Sequence, residues 1–195
     1  MDGVTGLLRN LPLPPGQAVG LVVGVVLDRL RPARMPGPRA AHRTAGALLM
    51  VSGSSLVVWA LGERRRRTTG RFDLEQPQSL VTTGPYARSR HPMYVGWWLI
   101  HLGFGVLRGS AWSLVTLPMA ILAEHRGVRA EERALVETFG PQFERYAEQV
   151  PRYVGTLGRL QARQLREQHA RQVRPEEREG QDHRDQHDHQ DAQRE

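Results

Sequence analysis

Arginine, histidine and tyrosine side chains concentrate in the stretch from residue 80 to residue 96. Tyr86, Arg88, Arg90, His91 and Tyr94 all lie there, immediately before or at the start of an apolar run. If that run is a membrane helix, ionisable groups at its mouth are costly and usually functional. The alternative is an interfacial anchor, in which tyrosine and arginine side chains extend to the lipid headgroups. Both interpretations place this stretch at a membrane surface.

Pro92 predicts where the helix begins. The ring has no N–H to donate, which costs nothing in the first helical turn. His91 would then be the N-cap residue. Unpaired backbone amides and the positive end of the helix dipole would face any group bound there.

A pair of adjacent carboxylates, Glu131-Glu132, lies further along the chain among Arg126, Arg129 and Arg133. Such a pair is either an ordinary charged helix face or a group suited to acid–base or metal chemistry. Two apolar runs separate it from the His91 stretch in a pattern typical of a helical hairpin. A hairpin would bring both groups to the same side of the membrane, so we expect them to face one cavity.

Four apolar runs provide the elements that would position these groups. They cover residues 13–27, 44–61, 93–107 and 111–123. A perpendicular span needs roughly 20 apolar residues, so the shorter runs imply tilting or local thinning of the bilayer. Gly53, flanked by serines, would allow close helix–helix approach, and His101 would hydrogen-bond between helices or line a substrate channel. The pattern predicts an all-α integral membrane protein with about four transmembrane helices.

The fourth run predicts a long helix that leaves the membrane. Its heptad-like spacing continues as an amphipathic helix to Phe139, and Gly140-Pro141 would end it. Residues 159–195 form a low-complexity charged segment that predicts a disordered tail. Its His183, His187 and His189 could hold a divalent metal weakly, but a solvated tail is favoured, and we expect no metal site. The predicted division is an N-terminal apolar segment and basic loop at 1–43, a core at 44–158 and the tail at 159–195.

Composition narrows the possible functions. The chain of 195 residues has no cysteine, which excludes disulfides, cysteine-ligated metals and thiol nucleophiles. Its formal charge of +7 is the difference between 27 cations, all arginine, and 20 acidic residues. These arginines lie between apolar stretches, and aromatic residues, on which single-stranded nucleic acid usually stacks, make up only 6% of the chain. Nucleic acid is therefore not an expected partner. The all-arginine usage indicates a GC-rich, bacterial genome.

The charges of the two basic loops give conflicting predictions of the orientation in the membrane. Four arginines after Glu63 indicate a cytoplasmic loop by the positive-inside rule. The loop from Arg29 to Arg43, at the other end of the same span, is also rich in arginine. Sidedness is therefore left open by charge alone.

The motifs resemble those of the isoprenylcysteine carboxyl methyltransferase family, to which the phospholipid N-methyltransferases are related. The matching positions are Gly84-Pro85-Tyr86, Arg90 through Gly96, Glu131-Glu132, Leu135, Phe139-Gly140, Tyr146 and Val150-Pro151-Arg152. The resemblance implies an all-helical membrane enzyme that uses S-adenosylmethionine. It agrees with the absence of a glycine-rich strand-to-helix turn from the sequence.

The resemblance also implies site residues. Those of the cofactor site would be Gln78, Ser79, Leu80, Val81, Tyr86, His91, Pro92, Met93, Tyr94 and Glu131. Arg126 would help hold the substrate, although its spacing from the acidic pair departs from the family pattern. No residue is assigned as a catalytic base, since positioning and desolvation can drive an in-line methyl displacement.

We therefore expect a multi-pass protein of a bacterial plasma membrane, with its cofactor site facing the cytoplasm. The methyl acceptor would be lipophilic or small, with a carboxylate, thiol or amine as nucleophile, and would arrive from the bilayer. One alternative is a non-enzymatic scaffold that binds anionic lipid through its arginine loops. Another is a reductase of sterol-like lipids, although such enzymes usually have asparagine where this chain has Pro92-Met93. The oligomeric state is left open.

Overall fold

The structure, a computed structural model, describes residues 13–67 and 79–155. The helices in these ranges are α1 (Pro15–Leu30), α2 (Arg39–Arg67), α3 (Pro92–Leu107), α4 (Ser113–Phe139) and α5 (Pro141–Gln149), with a 3₁₀ turn at Gly84–Ala87. No strand forms within the described residues, apart from one isolated bridge between Arg34 and Ser110. The all-α prediction is confirmed for this part of the chain. Gln78 and residues 159–195, with the predicted disordered tail, lie outside it.

Helices α2 and α3 pack antiparallel through glycines that allow their backbones to approach. A Cβ atom added to Gly53 would lie 2.5 Å from the carbonyl oxygen of Gly96, and one added to Gly46 would lie 2.4 Å from the amide nitrogen of Leu107. Gly103 meets the backbone of α2 in the same way. Small residues replace side-chain interdigitation here, as is common between membrane helices. The predicted packing role of Gly53 is confirmed.

Helices α1, α3 and α4 are joined by a buried polar network. Gln17 donates from its side-chain nitrogen to Glu124 at 3.0 Å and from its backbone nitrogen at 2.8 Å. Its amide oxygen accepts from Nδ1 of His101 at 2.8 Å, so Nε2 of that ring accepts from the Thr116 hydroxyl at 2.9 Å. His101 is 1% exposed and bridges α1 and α4 by these hydrogen bonds, which is the first of the two roles considered for it.

At the other end of the bundle, the loop before α2 packs on the turn between α3 and α4. The backbone nitrogen of Met35 donates to Gly109 at 2.9 Å, and that of Ala111 donates to Ala33 at 2.8 Å. Below them Asp28 accepts from Arg108 at 3.2 Å. The two arginine-rich regions that disagreed about sidedness therefore lie at opposite ends of α2.

The helix boundaries follow the sequence where proline and glycine set them. α3 begins at Pro92 with His91 as its N-cap, and α4 ends at Phe139 before Gly140, whose φ is 48°. By contrast, α2 begins at Arg39 and continues to Arg67, beyond the apolar run at both ends. The predicted division between residues 43 and 44 thus falls inside this helix.

The number of membrane spans is not confirmed. Among the described helices, only α2 is long and apolar enough to cross a membrane by length and composition. α3 is apolar but has 16 residues, and α1 has the same length. The chain divides into two units, Met1–Val154 and Gly155–Glu195, and the helices described above belong to the first.

Candidate functional site

The candidate site lies where α3 begins, and the chain before it is held against the end of α2. Ser79 donates its hydroxyl to the carbonyl oxygen of Arg67 at 2.9 Å. Thr83 donates its hydroxyl to the carboxylate of Glu63. Gly84 follows with a φ of +61°, which favours glycine and lets the chain enter the 3₁₀ turn. These contacts bring Ser79 and its neighbours back towards the mouth of α3.

The segment after α5 closes the site from the other side. The backbone nitrogens of Arg90 and His91 donate to the carbonyl oxygens of Pro151 and Arg152, both at 3.0 Å. Ser89 adds a hydroxyl hydrogen bond to Arg152 at 3.3 Å. Residues some 60 positions apart are thereby fixed beside each other, which places the Arg152 side chain at the N-terminus of α3.

Glu132 lies at the centre of the resulting cluster. One of its oxygens lies 3.2 Å from Nε2 of His91 and 3.2 Å from Nη1 of Arg90. The other accepts from Nε and Nη2 of Arg152 at 2.9 and 2.5 Å. Its side chain is only 10% exposed. Glu132 therefore anchors three cationic or ionisable groups that come from separate parts of the chain.

Electrostatics match this geometry. Burial acts to raise the pKa of Glu132, but hydrogen bonds from His91 and Arg152 and the Arg90 charge outweigh it and lower the pKa to about 2. The hydrogen bond to Glu132 raises the pKa of Arg152 further above its ordinary value. Burial lowers the pKa of Arg90, and Glu132 opposes that shift. The carboxylate is thus ionised at neutral pH and balances the surrounding positive charge.

Glu131 has a different environment from its neighbour. Its carboxylate is 40% exposed, and its nearer oxygen lies 3.7 Å from Nδ1 of His91, beyond hydrogen-bonding distance. Consecutive helical residues point about 100° apart, so one acid faces the protein while the other faces an opening. Glu131 is available to a bound molecule in a way that Glu132 is not.

The opening is a cleft with about 430 Å³ of empty space. Its lining combines two guanidinium groups, one open carboxylate, tyrosines and apolar side chains: Arg64, Ser79, Leu80, Val81, Tyr86, Arg90, His91, Glu131, Leu135, Phe143 and Tyr146. We call this opening the α3 cleft.

The tyrosines of the α3 cleft are neutral. Burial raises the pKa of Tyr86 to about 12, with the Arg64 charge acting in the opposite direction. Burial also raises the pKa of Tyr146, whose hydroxyl donates to the carbonyl oxygen of Tyr86 at 2.7 Å. Phe143, Tyr146 and Val150 form an apolar cluster, and Leu80 packs against it. Helix α5 therefore supports the part of the cleft lining that contains Leu80.

Most of the residues implied by the resemblance meet at the α3 cleft. Those that line it are Ser79, Leu80, Val81, Tyr86, His91 and Glu131. Pro92 is fully buried, and Met93 and Tyr94 are half-buried in the first turn of α3, outside the described lining. The ring centre of Tyr94 lies 5.7 Å from that of His91. Arg126 is exposed on α4 and does not belong to this lining, so its substrate role stays a prediction.

Glu132, Arg90 and Arg152 belong to motifs recognised in the sequence, but none of them was predicted to contact cofactor or substrate. A signal for Glu132 was present, because Glu124, Val128 and Glu132 recur every four residues and are all buried on one face of α4. That period distinguishes the inward acid from the outward one. Arg152 belongs to the Val150-Pro151-Arg152 motif but has no periodic signal, because backbone hydrogen bonds between distant segments bring it to the site.

The sequence profile of the phospholipid methyltransferase family matches residues 41–142, more than half of the chain. The chain belongs to the phospholipid methyltransferase family. The matched region of this family member includes α3, α4 and the Glu131-Glu132 pair, whereas Arg152 lies beyond it. The resemblance noted from the motifs is confirmed.

The chain is also similar, over part of its length, to individual proteins. The chain is 38% identical over 80 residues to the cobalt-zinc-cadmium resistance protein CzcN of Cupriavidus metallidurans. The matched residues are 40% of this chain and 37% of that protein. It is 37% identical over 73 residues to the protein-S-isoprenylcysteine O-methyltransferase of Schizosaccharomyces pombe, or 37% of this chain and 31% of that protein. The Xenopus laevis protein of the same name is 36% identical over 76 residues, or 37% and 26%. The family member thus matches between 26% and 37% of the length of these relatives.

Proposed function

We propose that this protein is a membrane methyltransferase that binds S-adenosylmethionine in the α3 cleft. The observation that carries the proposal is the convergence of Glu131, Arg64 and Arg90 around one opening. Family membership supports methyl transfer over the scaffold and reductase alternatives.

The charges of the cleft suit the charges of this cofactor. Glu131 would bind its ammonium group or ribose hydroxyls, and Arg64 or Arg90 would pair with its carboxylate in a bidentate manner. Leu80, Val81 and Phe143 would cover apolar parts of the ligand and exclude water. When bound, the cofactor supplies an electrophilic methyl group for in-line displacement.

His91 would hold the cleft lining in position and would not act as a base. Its Nε2 is held by Glu132, and its ring packs against Tyr94 and Tyr153. A carboxylate or thiolate acceptor needs no proton removed in the transfer step, so this chain's contribution would be positioning and exclusion of water. An ammonium acceptor would need a base, which the described lining offers only at His91 and Glu131.

We also propose that α1, α2 and α4 contact bilayer lipid. Their outward faces carry exposed apolar side chains, at Val19, Val22 and Val26 on α1, Val51, Val58 and Trp59 on α2, and Leu114, Met119 and Leu122 on α4. Apolar surface on several helices is unusual for a protein surrounded by water. α1 and α3 have 16 residues each, about 24 Å, so the bilayer would be thinned or the helices shielded.

The cleft would face the cytoplasm of a bacterial cell, where the cofactor is made. Arg64 to Arg67 lie at the same end of α2 as the cleft, which agrees with the positive-inside rule. A lipophilic or small acceptor would reach the α3 cleft laterally from the bilayer.

Calorimetric titration of the detergent-purified full chain with S-adenosylhomocysteine tests the cofactor proposal. We expect micromolar binding that Glu131→Gln weakens about tenfold, as expected for loss of a charge-assisted hydrogen bond. Glu137→Gln is the matched control, because Glu137 is exposed on the same helix and outside the cleft. A folded wild-type chain that does not bind would refute the proposal.

A further inference from the structure

A second concave surface lies at the end of the bundle opposite the α3 cleft. It contains about 940 Å³ of empty space, open to solvent, between the loop before α2 and the turn after α3. Its charged lining consists of Arg34, Arg39, Arg43 and Arg108, with His42 between them. We call it the arginine pocket. It shares no residue with the α3 cleft, and the proposed methyl transfer makes no use of it.

The pocket has a surplus of positive charge. Asp28 is the carboxylate that reaches it, with one oxygen 3.2 Å from Nη2 of Arg108 and 3.8 Å from Nη1 of Arg34. Its side chain is 4% exposed, so it lies beneath the arginines rather than in the opening. In the described part of the chain, Arg39 and Arg43 form no ion pair, and both are exposed. One carboxylate against four guanidinium groups leaves the opening strongly attractive to an anion.

The backbone gives this pocket a fixed shape. Met35 and Gly109 are joined by a backbone hydrogen bond of 2.9 Å. Nε2 of His42 donates to the carbonyl oxygen of Pro36 at 3.1 Å, which holds the ring inside the pocket. Gly37 and Gly109 have φ values of 116° and 62°, and their turns leave room beside that ring. The arginines therefore surround a formed concavity and are not scattered along a free loop.

The location indicates which anion could occupy it. Leu107 at the C-terminal end of α3 lines the arginine pocket, and His91 at the N-terminal end lines the α3 cleft. The 16 residues of α3 separate the two sites by about 24 Å. If α3 lies in a bilayer, the pocket is at the headgroup level of the leaflet opposite the cleft. Phosphate is the anion abundant there, and guanidinium groups bind it in bidentate geometry.

We propose that the arginine pocket binds a phosphate group, presented as a phospholipid headgroup or as free phosphate. Arg39 and Arg43 are the principal ligands, because Asp28 already engages Arg34 and Arg108. The lipid form rests on the proposed insertion in a bilayer, whereas the phosphate form does not.

The test uses the full chain purified in an uncharged detergent. Dihexanoylphosphatidylglycerol, dihexanoylglycerol and inorganic phosphate are titrated separately by calorimetry, and bound lipid is counted by native mass spectrometry. The variant is Arg39→Gln/Arg43→Gln. The control is Arg133→Gln/Arg145→Gln, which removes the same charge from exposed positions outside both openings.

We expect saturable binding of the phosphatidylglycerol and not of dihexanoylglycerol, which has the same chains and no phosphate. The pocket variant should weaken binding at least tenfold, and the control should change it less than twofold. Binding of inorganic phosphate with similar affinity identifies free phosphate as sufficient, and its failure to bind identifies the headgroup. Equal binding of both lipids, or equal loss in the control variant, overturns the proposal.

The outcome is separable from that of the proposed methyltransferase activity. The pocket variant should bind S-adenosylhomocysteine as the wild type does, because neither arginine lines the α3 cleft. A wild type that binds phosphatidylglycerol but not S-adenosylhomocysteine would refute the cofactor site and support the arginine pocket.

Discussion

Replacing Glu132 by glutamine removes the charge that holds the site together. The change preserves the size of the side chain and takes away the negative partner of Arg90 and Arg152. Those groups would then surround a neutral amide in a partly buried position. Unpaired charges left in such a position are strongly destabilising.

The expected loss of stability follows from the lowered pKa of the Glu132 carboxylate. Its pKa is lowered from 4.5 to about 2 in the folded chain. At about 1.4 kcal/mol per pH unit, this is equivalent to about 3 kcal/mol of stability. A domain of this size loses about 2–4 °C in Tm per kcal/mol, so Glu132→Gln should lower Tm by about 6–12 °C.

The same shift predicts a pH dependence with a definite sign. The folded pKa of Glu132 is below its unfolded value, so its stabilisation is complete above about pH 4.5 and is lost as the pH falls towards 2. Wild-type Tm should fall across that window more steeply than the Tm of Glu132→Gln, because the variant has no carboxylate to protonate there. Above pH 5 titration of Glu132 should no longer change the difference in Tm between the wild type and the variant, because the carboxylate is ionised in both the folded and the unfolded wild type.

Thermal unfolding in detergent, followed by tryptophan fluorescence, measures both effects. Trp98 is a suitable reporter because its ring centre lies 4.6 Å from that of Tyr153, the residue after Arg152. Glu137→Gln makes the same chemical change at an exposed position and should shift Tm by no more than about 2 °C. Equal melting of Glu132→Gln and the wild type at pH 7 would show that the cluster does not stabilise the fold.

Three further changes test the helix packing and the boundaries. Gly53→Ala should destabilise the fold by about 1–3 kcal/mol in the same assay, since the new Cβ would lie 2.5 Å from the Gly96 carbonyl oxygen. The control is Gly62→Ala, at a position on α2 with open space around it, which should be neutral or stabilise the fold by up to about 1 kcal/mol. Similar losses from both would argue against glycine-mediated contact between α2 and α3. Gln17→Ala should cost about 1–3 kcal/mol, because it removes a partner from both Glu124 and His101, and an unchanged Tm would mean that the network does not stabilise the fold. Truncation after Gly158 should preserve S-adenosylhomocysteine binding, and loss of binding in calorimetry would show that the tail contributes to the site.

Sequence reasoning predicted the elements whose ends are set by backbone chemistry. Pro92 and Gly140 mark the start of α3 and the end of α4 where the structure has them. α2 extends beyond the predicted apolar run at 44–61, because a hydropathy pattern follows apolar residues and Arg39 and Arg67 are charged. Arginine is a good helix former, and its long side chain can reach water from a helix end, so the helix continues where the apolar pattern stops.

The site could be predicted in part. The resemblance implied residues 79–81, Tyr86, His91 and Glu131, and the predicted hairpin explained how the Glu131-Glu132 pair could lie on the same side as the His91 stretch. Arg152 depends on backbone hydrogen bonds to Arg90 and His91, which join segments about 60 residues apart and leave no periodic trace in the sequence. Contacts of that kind become visible only when the chain is folded.

The adjacent acids of α4 show how the helix divides two tasks between neighbours. Glu132 is enclosed by Arg90, His91 and Arg152 and is ionised at every physiological pH, which leaves it no capacity to bind a ligand. That neutralisation holds the mouth of α3 in one arrangement. Glu131, turned about 100° away, is therefore presented from a rigid support, with 40% of its side chain exposed. A site that recognises a cation by a single carboxylate needs this combination, because the carboxylate must be fixed in position and still be free to pair.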